Sequence, residues 1–242
     1  MYHNLHGKLK EYFKFSKDEI NDLVKISLLF GFMLSFADWG IEQFSAASGI
    51  YAWIISALLL FSLYSIYLAI IKAISVHQGY VAEFKMGKYL WAFALYFTFL
   101  TEGYNSVILL IPGAIHFSVI KKLRLGKLSA GADYNEFGYI GVEAGLIMIM
   151  LGSLFAPLYG LNLVFDKIFI ISMLIALFSM LPFPYTTGFY LLTTSYLAFI
   201  SLFTLTFIAV LLASFNIGTF YTLIIAGICA IIAWIIAFQK GY

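Results

Sequence analysis

Four ionisable side chains stand inside or at the ends of long apolar runs: Asp38, Lys72, Glu102 and Glu143. A charge in hydrocarbon is costly, so each is a candidate for binding or proton chemistry. Asp38, beside Trp39, reads as an interface residue at the outer end of the first run. Lys72 ends the second run and is expected to extend its ammonium to the lipid headgroups. Glu143 in GYIGVEAGLIMIM lies about two turns inside a span, with Gly145 following; it is expected to face the helix bundle, hydrogen-bonded to a neighbour or lining a polar site. Glu102 in TEGY is expected at the tip of a hairpin, open to solvent through a cleft.

Metal and nucleophile chemistry find less support. The four histidines are His3, His6, His77 and His116, and none forms the i, i+4 pair on one helix that commonly supplies two zinc ligands. A site built by chain folding from His77, His116 and Glu83 is the remaining metal possibility. The one cysteine, Cys229, permits no intrachain disulfide and reads as a packing residue. No serine-protease motif accompanied by a membrane-embedded histidine is present. Neither a phosphate loop nor a dinucleotide fingerprint appears.

The elements that must position these groups are membrane helices. Of 242 residues, 63% are apolar and 11% charged, and the mean hydropathy is +0.97, far outside the range of soluble domains. A hydrocarbon core of about 30 Å takes roughly 20 helical residues. Apolar runs of suitable length fall at 22–39, 50–72, 89–111, 137–159, 166–187, 189–213 and 217–238. Gly and Ser spread through them suit close helix packing in lipid. A net charge of +2 argues against nucleic acid as a partner and leaves membrane lipids as the expected surroundings. Residues 1–21 are polar, with Leu5, Leu9, Tyr12 and Phe13 at helical spacing among lysines. They are expected to be retained as a cytoplasmic amphipathic tail, or an ordinary basic one, rather than cleaved as a signal peptide.

Lys and Arg assign the sides. They concentrate in 8–25, 72–88 and 121–127, and are missing from 38–50, which places both the tail and the loop after the second run in the cytoplasm. A crossing at 89–111 would put Lys121, Lys122, Arg124 and Lys127 outside, against this rule. A re-entrant hairpin or pair of short strands removes the conflict, with Thr101, Glu102, Gly103 and Tyr104 at its bend. The fold class expected is an all-α multi-pass membrane protein in one domain, 1–242, of about six transmembrane helices plus this hairpin. Both termini are then cytoplasmic, and Lys167 is the one basic residue outside.

The order of motifs resembles the site-2 protease family of intramembrane zinc metalloproteases, in its archaeal form. YLAIIKAISVHQGYVAEF, from Tyr67 to Phe84, is similar to the family pattern HELAHKxVAxxxGxxAEF, with Lys72, Gly79, Ala82, Glu83 and Phe84 in register. LLIPGAIHF resembles its PGAV strand, GYIGVEAGLIMI its AGP segment, with Leu146 at the proline, and ALFSMLPFPYTTG its ALFNLLPIPPLDG segment. The resemblance covers 67–188.

It implies a zinc site, and each implied position carries the wrong residue. Tyr67 and Ile71 stand where the histidines belong, Leu68 at the general base, and Thr187 at the aspartate. Zinc, the family's cofactor, is therefore not expected here, and without it water keeps a pKa near 15.7. The expected function is that of a non-catalytic relative binding transmembrane segments of client proteins. Its groove would be shaped by Glu83, Phe84, Glu102, Tyr104, Glu143, Pro182, Pro184 and Gly188. The alternatives are an active metalloprotease with a displaced site, a small transporter using Glu102 and Glu143, and a structural subunit of a membrane complex.

Overall fold

A computed structural model describes residues 5–40, 44–87, 89–101, 103, 113–120, 130–184, 186–215 and 219–239. The chain is a helical membrane protein in which four helices are long and apolar enough to cross a bilayer. They are α3 (Ala46–Gln78), α5 (Ala130–Phe155), α8 (Tyr196–Ser214) and α9 (Thr219–Gln239). The others are α1 (Leu5–Tyr12), α2 (Lys17–Leu34), α4 (Leu90–Leu100), α6 (Leu163–Ser179) and α7 (Thr187–Thr194), joined by strands β1 (Tyr80–Met86) and β2 (Gly113–Val119).

Local chemistry sets several boundaries. Ser16 and Glu19 form a reciprocal capping box that starts α2. At 33 residues, α3 is about 50 Å long and must extend beyond the hydrocarbon core. It ends where Gly79 takes φ +93°, a left-handed cap that favours glycine. The apolar run 189–213 is not one helix: Ser195 closes α7 and caps α8, accepting from the Ala198 N–H.

The run 89–111 does not make a single long helix either. Strands β1 and β2 are antiparallel, with Met86 opposite Gly113, so the chain leaves and returns at one place. Between them α4 has 11 residues and ends at a turn containing Thr101 and Gly103. Gly103, at φ +82°, packs on Phe36 and Ala37, where an added Cβ would sit 2.8 Å from the Phe36 ring. Phe99 meets the same ring edge-on at 5.2 Å. The excursion thus starts beside the first turns of α2, where Met86 donates to Asp22 at 3.0 Å, and descends to the 3-10 turn Phe36–Trp39 beyond the other end of α2. Glu102, Tyr104 and the basic segment 121–127 lie outside the described residues.

Small residues let the bundle close. An added Cβ on Gly31 would lie 2.7 Å from the Ala57 backbone, and one on Gly138 2.2 Å from Leu191. The core between α2, α3, α5 and α6 contains Phe30, Met33, Leu60, Ile71, Ile140, Met148 and Ile171, all nearly inaccessible.

Candidate functional site

Tyr67 is buried on the face of α3 that also carries Leu68 and Ile71, as spacings of one, three and four residues dictate. Its phenol interacts with the side chains of Ser179, at the end of α6, and Thr187, at the start of α7. Thr187 is held on two sides. Its hydroxyl donates to the Ser179 carbonyl at 2.7 Å, and its side chain fills the space over Gly141, where a Cβ would lie 2.1 Å away. Thr186 caps α7 by accepting from Phe189 N–H at 3.3 Å and donates to the Leu181 and Phe183 carbonyls. Tyr67 and Thr187, 120 residues apart in sequence, therefore meet at one polar point inside the bundle.

The donor set there does not fit zinc. The side chains gathered there are two neutral hydroxyls, of Tyr67 and Thr187, and two aliphatic groups, of Leu68 and Ile71, none of them a usual zinc ligand. Among the described residues no group of three or more His, Cys, Asp or Glu is placed to hold a metal. Glu83 lies opposite His116 in the sheet, but His77, exposed near the end of α3, does not join them in such a group. What the cluster does is tie α3 to the α6–α7 junction. Tyr67→Phe is expected to lower unfolding free energy by at most about 1 kcal/mol, since the Thr187 and Ser179 hydroxyls already donate to the Ser179 and Ala176 carbonyls. Combining it with Thr187→Val should be less than additive in detergent unfolding; strict additivity would separate the two side chains.

The second part of the site is the sheet. Ile120 N–H donates to the Gly79 carbonyl at 3.0 Å, which fixes the alternation: Val81, Glu83 and Lys85 turn their main-chain groups toward β2, and Ala82, Phe84 and Met86 turn theirs away. Three of those outward groups are engaged. Phe84 N–H donates to Glu19 Oε1 at 2.8 Å, Met86 N–H to Asp22, and Lys72 Nζ donates to the Ala82 carbonyl at 2.8 Å. Glu19 and Asp22, one turn apart on α2, match alternate N–H groups of the strand.

Lys72 corrects the sequence expectation. It does not reach to headgroups but is buried, 2.8 Å from Glu19 Oε1, and it donates also to the Lys14 carbonyl at 3.1 Å. Glu19, Ala82 and Lys14 use all three ammonium donors, and the Phe15 ring centroid lies 5.0 Å away. Composition did not mark Glu19, yet Ser16-x-x-Glu19 is a readable capping signal. Asp38 lies in the 3-10 turn that follows α2, and it pairs with Lys167 at 2.9 Å.

On β2, Ile115, Phe117 and Val119 turn their main-chain groups to the outer side. Among the described residues, the partner these groups find is the Tyr190 hydroxyl, donating to the Ile115 carbonyl at 3.4 Å. Among the described residues the N–H groups of Ile115, Phe117 and Val119 meet no partner, and these three form an open edge. Aromatic rings frame it: Phe117 stacks on Phe137 at 4.5 Å, and Tyr190 on Tyr134 at 5.5 Å. Tyr190 carried no signal in the sequence beyond its place in an apolar run.

The other expected groove residues scatter. Phe84 is buried against Tyr64, while Glu83 is exposed. Pro182 and Pro184 are exposed in the α6–α7 connection, and Gly188 is buried beneath it against the Met180 carbonyl. Glu143 is a second correction. It is exposed, because Gly138, Gly141 and Gly145 turn the opposite face of α5 against α6 and α7. Comparison of the chain with protein-family models, with curated proteins and with solved structures returns no match.

Proposed function

We propose that this chain is a catalytically silent, six-span relative of the site-2 proteases that binds an extended stretch of a client transmembrane segment along β2. In this reading α2 and α6 join the four long helices as spans, both termini are cytoplasmic, and the dip between β1 and β2 enters from the cytoplasmic side. The observation that carries the reading is the meeting of Tyr67 and Thr187 at one point. Those are two of the positions where the resemblance requires zinc ligands, and hydroxyls there give no metal-activated water. Support for binding comes from the sheet, whose inner strand is held by Glu19 and Asp22 of α2 and whose outer strand has, among the described residues, no partner for the N–H groups of Ile115, Phe117 and Val119. Unpaired N–H groups along a strand edge favour an extended partner that supplies carbonyls.

Two measurements test this. In nanodiscs, a model transmembrane peptide interrupted by Gly-Pro should slow amide exchange at Ile115, Phe117 and Val119 at least tenfold, and an unbroken Leu-Ala helix should not. Equal exchange with either peptide at saturation would overturn the binding role. The combined substitution Tyr67→His, Leu68→Glu, Ile71→His and Thr187→Asp should bring zinc to about one ion per folded chain. Folded protein that takes up no zinc would reject the kinship.

A further inference from the structure

The face of α5 opposite its glycines carries Tyr139, Glu143, Ile147, Met150 and Leu154, all exposed. Their spacing of four, four, three and four residues makes one continuous stripe. Glu143 is 13 residues from the start of a 26-residue helix, about 20 Å along an axis of about 39 Å. A carboxyl half-way along a membrane-length helix, on its exposed face, contradicts the rule that such groups turn to protein or water. Neither Glu143 nor Tyr139 is bonded to any other side chain among the described residues.

We propose that this stripe is the contact between two copies of the chain, packed about a twofold axis along the membrane normal. Copies of equal topology meet with their α5 helices parallel, so equal depths face each other. The stripe is self-complementary at that depth. Glu143 accepts hydrogen bonds in either protonation state, Tyr139 donates, and they stand one turn apart. The step of one turn between the two residues, about 6 Å, is the step between adjacent side-chain layers of a parallel helix pair, which are in mutual contact. Two equivalent bonds thus form without a foreign residue, and Ile147, Met150 and Leu154 continue the contact. The inference does not rest on client binding, which concerns β2.

The test uses the full chain in proteoliposomes at a series of protein-to-lipid ratios, read by energy transfer between two labelled populations. Wild type should dimerise reversibly. Glu143→Leu and Tyr139→Phe should each raise the dissociation constant about tenfold, with the double variant no worse than about the larger single effect. Ile147→Cys in a Cys229→Ala background should give a disulfide-linked dimer on oxidation, and Leu58→Cys should not. Both Glu143 and Tyr139 are surface positions, so near-UV dichroism should be unchanged. A wild-type chain monomeric at every ratio, equal dimerisation of Glu143→Leu, or a second protein bound stoichiometrically in a Glu143-dependent way would each overturn the proposal.

Discussion

Replacing Lys72 by methionine is expected to lower unfolding free energy by about 3–5 kcal/mol, the loss typical when one member of a buried ion pair is removed. Glu19 would remain buried without its counter-charge, and the Ala82 and Lys14 carbonyls would lose their donor. For a chain of this size that corresponds to a fall of about 10 °C in the midpoint of thermal unfolding in mild detergent. Glu19→Gln combined with Lys72→Met should be less harmful than Lys72→Met alone, because the amide leaves no stranded charge. A single substitution as mild as the double would mean that the pair is not desolvated.

The second large effect is expected at Gly188. A Cβ there would sit 2.1 Å from the Met180 carbonyl oxygen and 2.4 Å from its carbon. The obstacle is main chain, which has no rotamer to yield, so Gly188→Ala should force α7 away from the end of α6 and cost about 3 kcal/mol. The same substitution at Gly227, where nothing lies within 4 Å, should instead stabilise α9 by about 0.5–1 kcal/mol through its helix propensity. Urea unfolding of both variants decides the matter. Similar midpoints would show that the α6–α7 junction is plastic.

Which parts of this arrangement could be read from sequence follows from what each residue type reports. Lysine and arginine report sides, so the conflict at Lys121–Lys127 argued for a re-entrant 89–111, a segment with no local signal of its own. Apolar runs report length and little else. A single Ser195 divides one run into α7 and α8, and its capping role depends on how the chain turns there. The meeting of Tyr67 with Thr187 could be anticipated from motif order, since each has a place in a pattern. Glu143 and Lys72 could not be placed, because one ionisable residue in an apolar run fits a buried pair, a headgroup contact or a helix surface equally well. Partners 53 residues away decide for Lys72, and the glycine face of α5 decides for Glu143.

The seal on β1 also has a history in time. Glu19 and Asp22 leave the ribosome 64 or 65 residues ahead of the strand they close, and Lys72 follows Glu19 by 53. During synthesis the acidic turn of α2 stands at the membrane surface with its anchor absent. The ammonium reaches it before the strand does, so charge neutralisation precedes strand capture. The sheet cannot close until Gly113 has also emerged, so β1 finds its partner strand only after α4 has been made.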